Sequence, residues 1–245
     1  MKKLAKTQRR QFRRGMSRVR GQIADAAPDW ARRRVGPLVD TLDMLVIDHG
    51  IFRLGYRNLH RISDEAWRAS QPAPIDVRDY RRRGIRMIVN LRGVRDCGAY
   101  RLEMVACAAA GIALVDLQLK SRAAPEPETI DAVARMLGEI DYPVLFHCKS
   151  GADRVGLMSA LYVLLRQRRP VGEAMRQLDW RYGHFKAADT GILDAFLAEY
   201  ATANARAPIG FLDWVDKAYD PEALKLRFHA RGWANAVVNT VLRRE

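Results

Sequence analysis

Eight consecutive residues carry groups suited to a single reaction: His147, Cys148, Lys149, Ser150, Gly151, Ala152, Asp153 and Arg154. A cysteine thiolate is a strong nucleophile. A guanidinium six positions later offers a planar fork that can hold two oxygens of a phosphoryl group, which a lysine ammonium does not. Gly151 can take positive φ in mid-loop, and such a loop turns successive backbone N–H groups onto an anion. The chemistry implied is attack of Cys148 on phosphorus. Arg154 would hold equatorial oxygens, and the backbone donors of Lys149, Ser150, Gly151, Ala152, Asp153 and Arg154 would hold the rest. His147 is expected to order the loop by hydrogen bonding. The Cys–Arg spacing alone is a weak signal, and neither Cys97 nor Cys107 has an arginine six positions on. The competing reading is a buried structural cysteine beside a helix cap.

The flanking sequence decides between these readings. Val144, Leu145 and Phe146 form a short apolar run ending at His147 and Cys148, and a long helix-forming apolar stretch follows from Leu157 to Leu165. A buried strand therefore feeds a tight loop that opens a helix, whose positive N-terminal end favours both anion and thiolate. Around it, strands are expected over 57–70, 86–91 and 112–115, with helices over 75–83, 101–110, 126–140, 171–178 and 191–200. That alternation predicts an α/β fold with a mostly parallel central sheet flanked by helices on both faces. Ligands of such sheets bind outside the carboxyl ends of the strands, where the Cys148 loop lies.

The run His147 to Arg154 resembles the signature loop of the cysteine-dependent protein tyrosine phosphatase superfamily, nearest its compact dual-specificity branch. Arg68-Ala69-Ser70-Gln71-Pro72 resembles the opening motif of bacterial and plant-like atypical members. The resemblance implies a metal-independent phosphomonoesterase with no cofactor, working through a cysteinyl-phosphate. It also implies a proton donor on a loop roughly thirty residues upstream of the cysteine. Asp116, 32 positions before Cys148, is the expected general acid. Glu126, Glu128 and Asp153 are its rivals, because the alternation over 113–120 places Asp116 mid-strand. The chain departs from the family at Val155, where many members carry a hydroxyl that eases departure of the thiolate. Arg68 is expected in a structural ion pair rather than in the chemistry. His184 is expected to be structural rather than a substrate contact, and Cys97 and Cys107 to be buried apolar residues rather than redox partners of Cys148.

The 245-residue chain carries a net charge of +14, and residues 1–34 hold twelve Lys/Arg against Asp25 and Asp29, leaving only +4 for the remainder. Phe12, Met16, Val19 and Ile23 fall on one face of a potential helix in that segment. A basic amphipathic helix suits an anionic membrane surface, at about 1 kcal/mol per basic residue. Nucleic acid is not expected, since no aromatics interleave the arginines for stacking. A flexible basic tail, a helix packed on the domain and an organellar transit peptide are the other readings. Three cysteines without paired spacing argue against a disulfide scaffold or zinc site and for a reducing, cytoplasmic setting, and the basic segment adds a peripheral place at the inner face of a membrane. No apolar run approaches the roughly 20 residues that span a bilayer.

The division expected is a basic N-terminal extension over 1–36, a catalytic domain over 37–204 and a helical C-terminal extension over 205–245 that packs on the domain. Expected substrates are phosphotyrosine or phosphoserine proteins, or lipid and inositol phosphates, with Lys149 leaning toward the more highly charged. A sulfurtransferase also uses a loop cysteine, but its loop is usually one residue shorter. A non-enzymatic alternative is a phosphate-binding adaptor recruited to anionic membrane by the basic tail.

Overall fold

A computed structural model describes residues 40–41 and 57–230. The basic N-terminal extension, most of the expected catalytic domain before residue 57, and residues 231–245 of the C-terminal extension lie outside the described residues. The strands are β1 (His60–Arg61), β2 (Ala66–Ser70), β3 (Met87–Asn90), β4 (Ala113–Asp116) and β5 (Val144–Cys148). They form one sheet in the order β1-β2-β5-β3-β4, with β1 antiparallel at the edge and the other four parallel. The helices are α1 (Pro74–Arg82), α2 (Gly98–Ala110), α3 (Pro127–Glu139), α4 (Asp153–Leu165), α5 (Val171–Met175), α6 (Ile192–Arg206) and α7 (Phe211–Lys217). Two 3-10 turns, Trp180–Tyr182 and Asp189–Gly191, connect α5 to α6.

The central strands are buried on both faces, so they read as continuous apolar runs rather than alternating ones. Alternate residues nevertheless serve different layers. Ala69, Ile88 and Leu145 join Val77, Tyr80 and Cys107 beneath α1 and α2. Val89, Phe146 and Cys148 point the other way, into the larger core with Ile130, Val133, Leu157, Met158 and Phe196. Strand register aligns Ser70 with Cys148, and Asn90 with both His147 and Asp116. The four parallel strands thus end on one level, and the Cys148 loop crosses that edge.

Beyond α6 the chain folds back on the same core. Trp214 and Tyr219 pack against Phe196, tilted and edge-on, at ring separations of 5.6 and 5.0 Å. The Tyr219 hydroxyl donates to the carbonyl of Pro125, 2.9 Å away, tying this segment to the loop before α3. Helical backbone continues over 221–230. Among the described residues, no helix is long and apolar enough to cross a membrane.

Candidate active site

Cys148 ends β5, buried at the floor of the loop, and α4 starts five residues later at Asp153. Gly151 has φ +75°, which L side chains rarely adopt. A Cβ there would lie 2.7 Å from the Ser70 amide nitrogen and 2.8 Å from the Ala69 carbonyl carbon. The loop therefore rests directly on the backbone of β2, and only glycine fits.

Two buried side chains draw the loop carbonyls to one side. Asn58 Nδ2 donates to the Ser150 carbonyl at 2.9 Å and to the Tyr182 carbonyl at the same distance. Arg68 donates to the carbonyls of Gly151 and Ala152 at 3.1 and 3.2 Å, and to the Gln177 carbonyl at 2.7 Å. Its guanidinium also stacks over the Tyr182 ring, 3.8 Å from the centroid. In a planar trans peptide, C=O and the next N–H point in opposite directions. Holding the carbonyls of residues 150–152 toward Asn58 and Arg68 turns the N–H groups of Gly151, Ala152 and Asp153 away from them. The direction of the loop N–H groups is thus set by side chains from β2 and the segment before β1.

Arg68 has a structural role wider than an ion pair, since it binds loop carbonyls and stacks on a ring. Lysine could not serve these diverging acceptors. Arg68→Lys is expected to lower kcat/KM about 10- to 100-fold and to cost about 2 kcal/mol of stability, checked by steady-state kinetics and denaturant titration. The rest of the Arg-Ala-Ser-Gln-Pro turn is also accounted for. Ser70 Oγ donates to the Arg57 carbonyl at 2.9 Å, and Gln71 Nε2 donates to Glu103 Oε2 at 3.0 Å. The other Glu103 oxygen lies 2.6 Å from His147 Nε2, both side chains fully buried. Gln71 in turn accepts from Arg92. His147 is thereby fixed to α2 through a buried polar chain beneath the loop.

Asp116 and Cys148 are not brought together. Asp116 ends β4, two strands from β5, with its side chain directed toward α2. One carboxylate oxygen accepts from Asn90 Nδ2 at 2.7 Å and the other from the Tyr100 hydroxyl. Burial and this hydrogen bond push the Tyr100 hydroxyl up to about 12, so it is the donor. Asp153 faces His184 Nδ1 at 2.8 Å. Glu126 lies 3.4 Å from the Lys120 ammonium. Val155 is buried in the larger core beside Leu157. Cys97 caps α2 and packs with Ala99 and Tyr100, in a cluster separate from that of Cys148. Cys107 is pushed up to about 12 by burial and by neighbouring Glu103, which makes it a poor nucleophile.

Sequence reasoning missed Asn58, where the residue type was the local signal: asparagine tolerates the left-handed region, and its φ here is 45°. It also missed Glu103, an acidic residue on an otherwise apolar helix face.

A family model for the DSP-PTPase phosphatase fused to NAD+ kinase matches residues 58–190, more than half of the chain. The chain belongs to this phosphatase family. The matched stretch of the phosphatase runs from Asn58, which holds the Ser150 carbonyl, to the second 3-10 turn. Comparison with curated proteins returned no match. Similar solved structures include TpbA of P. aeruginosa, at 22% identity over 61% of this chain and 91% of that one, TM-score 0.48. The core catalytic domain of the PP-IP phosphatase SIW14 from S. cerevisiae, solved with citrate, is 16% identical over 64% of this chain and 98% of that one, TM-score 0.46.

Proposed function

We propose that this phosphatase is a metal-independent phosphomonoesterase that turns over through a cysteinyl-phosphate on Cys148. The observation that carries the reading is the loop itself. A thiol sits at its floor, its carbonyls at 150–152 are drawn aside by Asn58 and Arg68, and Arg154 lies in the first turn of the helix that follows. In the first step the Cys148 sulfur bonds to phosphorus as the P–O bond to the leaving group breaks, and the leaving oxygen takes the electron pair and a proton. Water then attacks phosphorus, the S–P bond breaks, and inorganic phosphate leaves with the thiolate restored. Arg154 and the loop amides balance charge in both steps, the role a metal ion fills in other phosphatases. Hydrolysis of para-nitrophenyl phosphate in EDTA tests this. Persistent turnover supports the reading, and turnover restored only by added divalent metal removes it.

Asp116 is proposed as the leaving-group donor, which requires it to give up Tyr100 or Asn90 during the cycle. Asp116→Asn should lower turnover about 10²-fold with alkyl phosphates and less with aryl phosphates, whose oxygens leave more readily. A donor acts while protonated, so the substitution should also flatten the fall of rate with rising pH. An unchanged rate and profile would transfer the role to Glu126 or Glu128, since Asp153 is engaged by His184.

Two substrate classes fit the loop: phosphorylated proteins, and lipid or inositol phosphates at a membrane surface approached through the basic residues 1–34. Lys149 favours the second. Rates on phosphopeptides, inositol phosphates and anionic vesicles bearing phosphoinositides, with and without residues 1–34, separate them. Vesicle substrates preferred only by the full chain would support the membrane reading, and indifference to the deletion would end it.

A further inference from the structure

The two ring nitrogens of buried His184 face oxygens of two different carboxylates. Nδ1 lies 2.8 Å from Asp153 Oδ1 and Nε2 lies 2.6 Å from Asp194 Oδ2. Carboxylate oxygens only accept, so both contacts are hydrogen bonds only when both nitrogens carry protons. His184 is therefore an imidazolium. Asp153 is the first residue of α4 and Asp194 the third of α6, so one charged ring joins the opening turns of two helices. The ring is anchored from its own loop as well, because Gly183 approaches Ala152 and the Tyr182 carbonyl shares the Asn58 amide with Ser150.

We infer that His184 is a positioning residue for phosphate binding, whose charged ring holds Asp153 outward and thereby sets the direction of Arg154 into the loop. Successive residues of a helix project about 100° apart, so pinning Asp153 on the outer side turns its neighbour toward the bowl. Asn58 and Arg68 fix the backbone of residues 150–152, and His184 fixes the next residue. Together these three side chains fix the loop from Ser150 to Asp153. The inference rests on the phosphatase reading of Cys148 and Arg154.

A pH signature distinguishes this from ordinary packing. Burial alone would lower the histidine, but the Asp153 and Asp194 hydrogen bonds and charges outweigh it and raise it to about 9. The charged groups facing it are Asp153 from α4 and Asp194 from α6, with Lys186 of its own loop 3.5 Å from the outer Asp194 oxygen. With the pKa raised, the clamp is complete below it and is lost as pH rises through it. One contact then becomes a lone pair against a carboxylate.

The test uses the full chain, with inorganic phosphate as competitive inhibitor of para-nitrophenyl phosphate hydrolysis between pH 7.5 and 10. Over that range phosphate keeps one dominant ionic form. Wild type should bind phosphate at least about 10-fold more weakly at pH 10 than at 7.5. His184→Gln should bind about 10- to 100-fold more weakly at pH 7.5 and show no further loss. Asp194→Asn removes one of the two carboxylates, so its fall should begin about one pH unit lower. Adding Asp153→Asn to His184→Gln creates a neutral amide pair and should restore part of the binding. Equal phosphate affinity in wild type and His184→Gln across the range would overturn the inference. If His184→Gln does not fold, an unshifted limb in Asp194→Asn does the same. Absence of turnover by wild type at pH 7.5 would instead remove the phosphatase reading beneath it.

Discussion

Cys148→Ser is expected to lose at least about 10⁴-fold in kcat while still binding inorganic phosphate. A serine hydroxyl at the same place is un-ionised, and the imidazole of the preceding residue, His147, is directed to Glu103 rather than available as its base. Arg154 and the loop amides remain, so affinity for an anion should survive where chemistry does not. The separation of the two effects is the informative part. A buried structural cysteine would give a variant with altered stability and unchanged rate. An adaptor would give binding in both proteins and turnover in neither. Stopped assays on aryl phosphate, paired with phosphate titration by calorimetry, read both quantities.

The second large effect is expected at Gly151. Alanine there must adopt φ +75° and places its Cβ within 2.8 Å of two backbone atoms of β2. Neither is the far end of a flexible side chain. Ser70 is held by the sheet and by the hydrogen bond its N–H donates to the Arg57 carbonyl at 2.8 Å, so the strand does not yield. The loop must lift instead, breaking the carbonyl contacts to Arg68 and Asn58 together. Left-handed strain and overpacking sum to about 2–5 kcal/mol. Lifting the amides from their positions should cost about 10²-fold in kcat/KM. Both are measured on one variant, by thermal unfolding and steady-state kinetics. Wild-type activity in Gly151→Ala would mean that the loop does not bind phosphate in this pose.

The parts of this site that the sequence announces are those encoded within a few residues. An apolar run, a glycine-bearing loop and a helix-forming run placed Cys148 and Arg154 at the carboxyl edge of a parallel sheet. The alternation over 113–120 overstated the strand, which ends at Asp116 itself, and the carboxylate there is committed to Asn90 and Tyr100. What could not be read is everything joined by the fold. Asn58 reaches Ser150 across 92 residues and Arg68 reaches Gly151 across 83. The carbonyl contacts of Arg68 were not legible because its acceptors, Gly151 and Ala152, lie more than 80 residues away in the chain. His184 lies 31 residues from Asp153 and 10 from Asp194, and no local pattern links the three.

The central claim is that phosphate passes through Cys148. Rapid mixing of the full chain with para-nitrophenyl phosphate, followed by acid quench and mass spectrometry of the peptide containing Cys148, tests it most directly. The account predicts one added phosphoryl group on that peptide, absent in Cys148→Ser and retained on the sulfur under acid. Phosphate release at full rate with the Cys148 peptide unmodified at every quench time, and undiminished in Cys148→Ser, would contradict it.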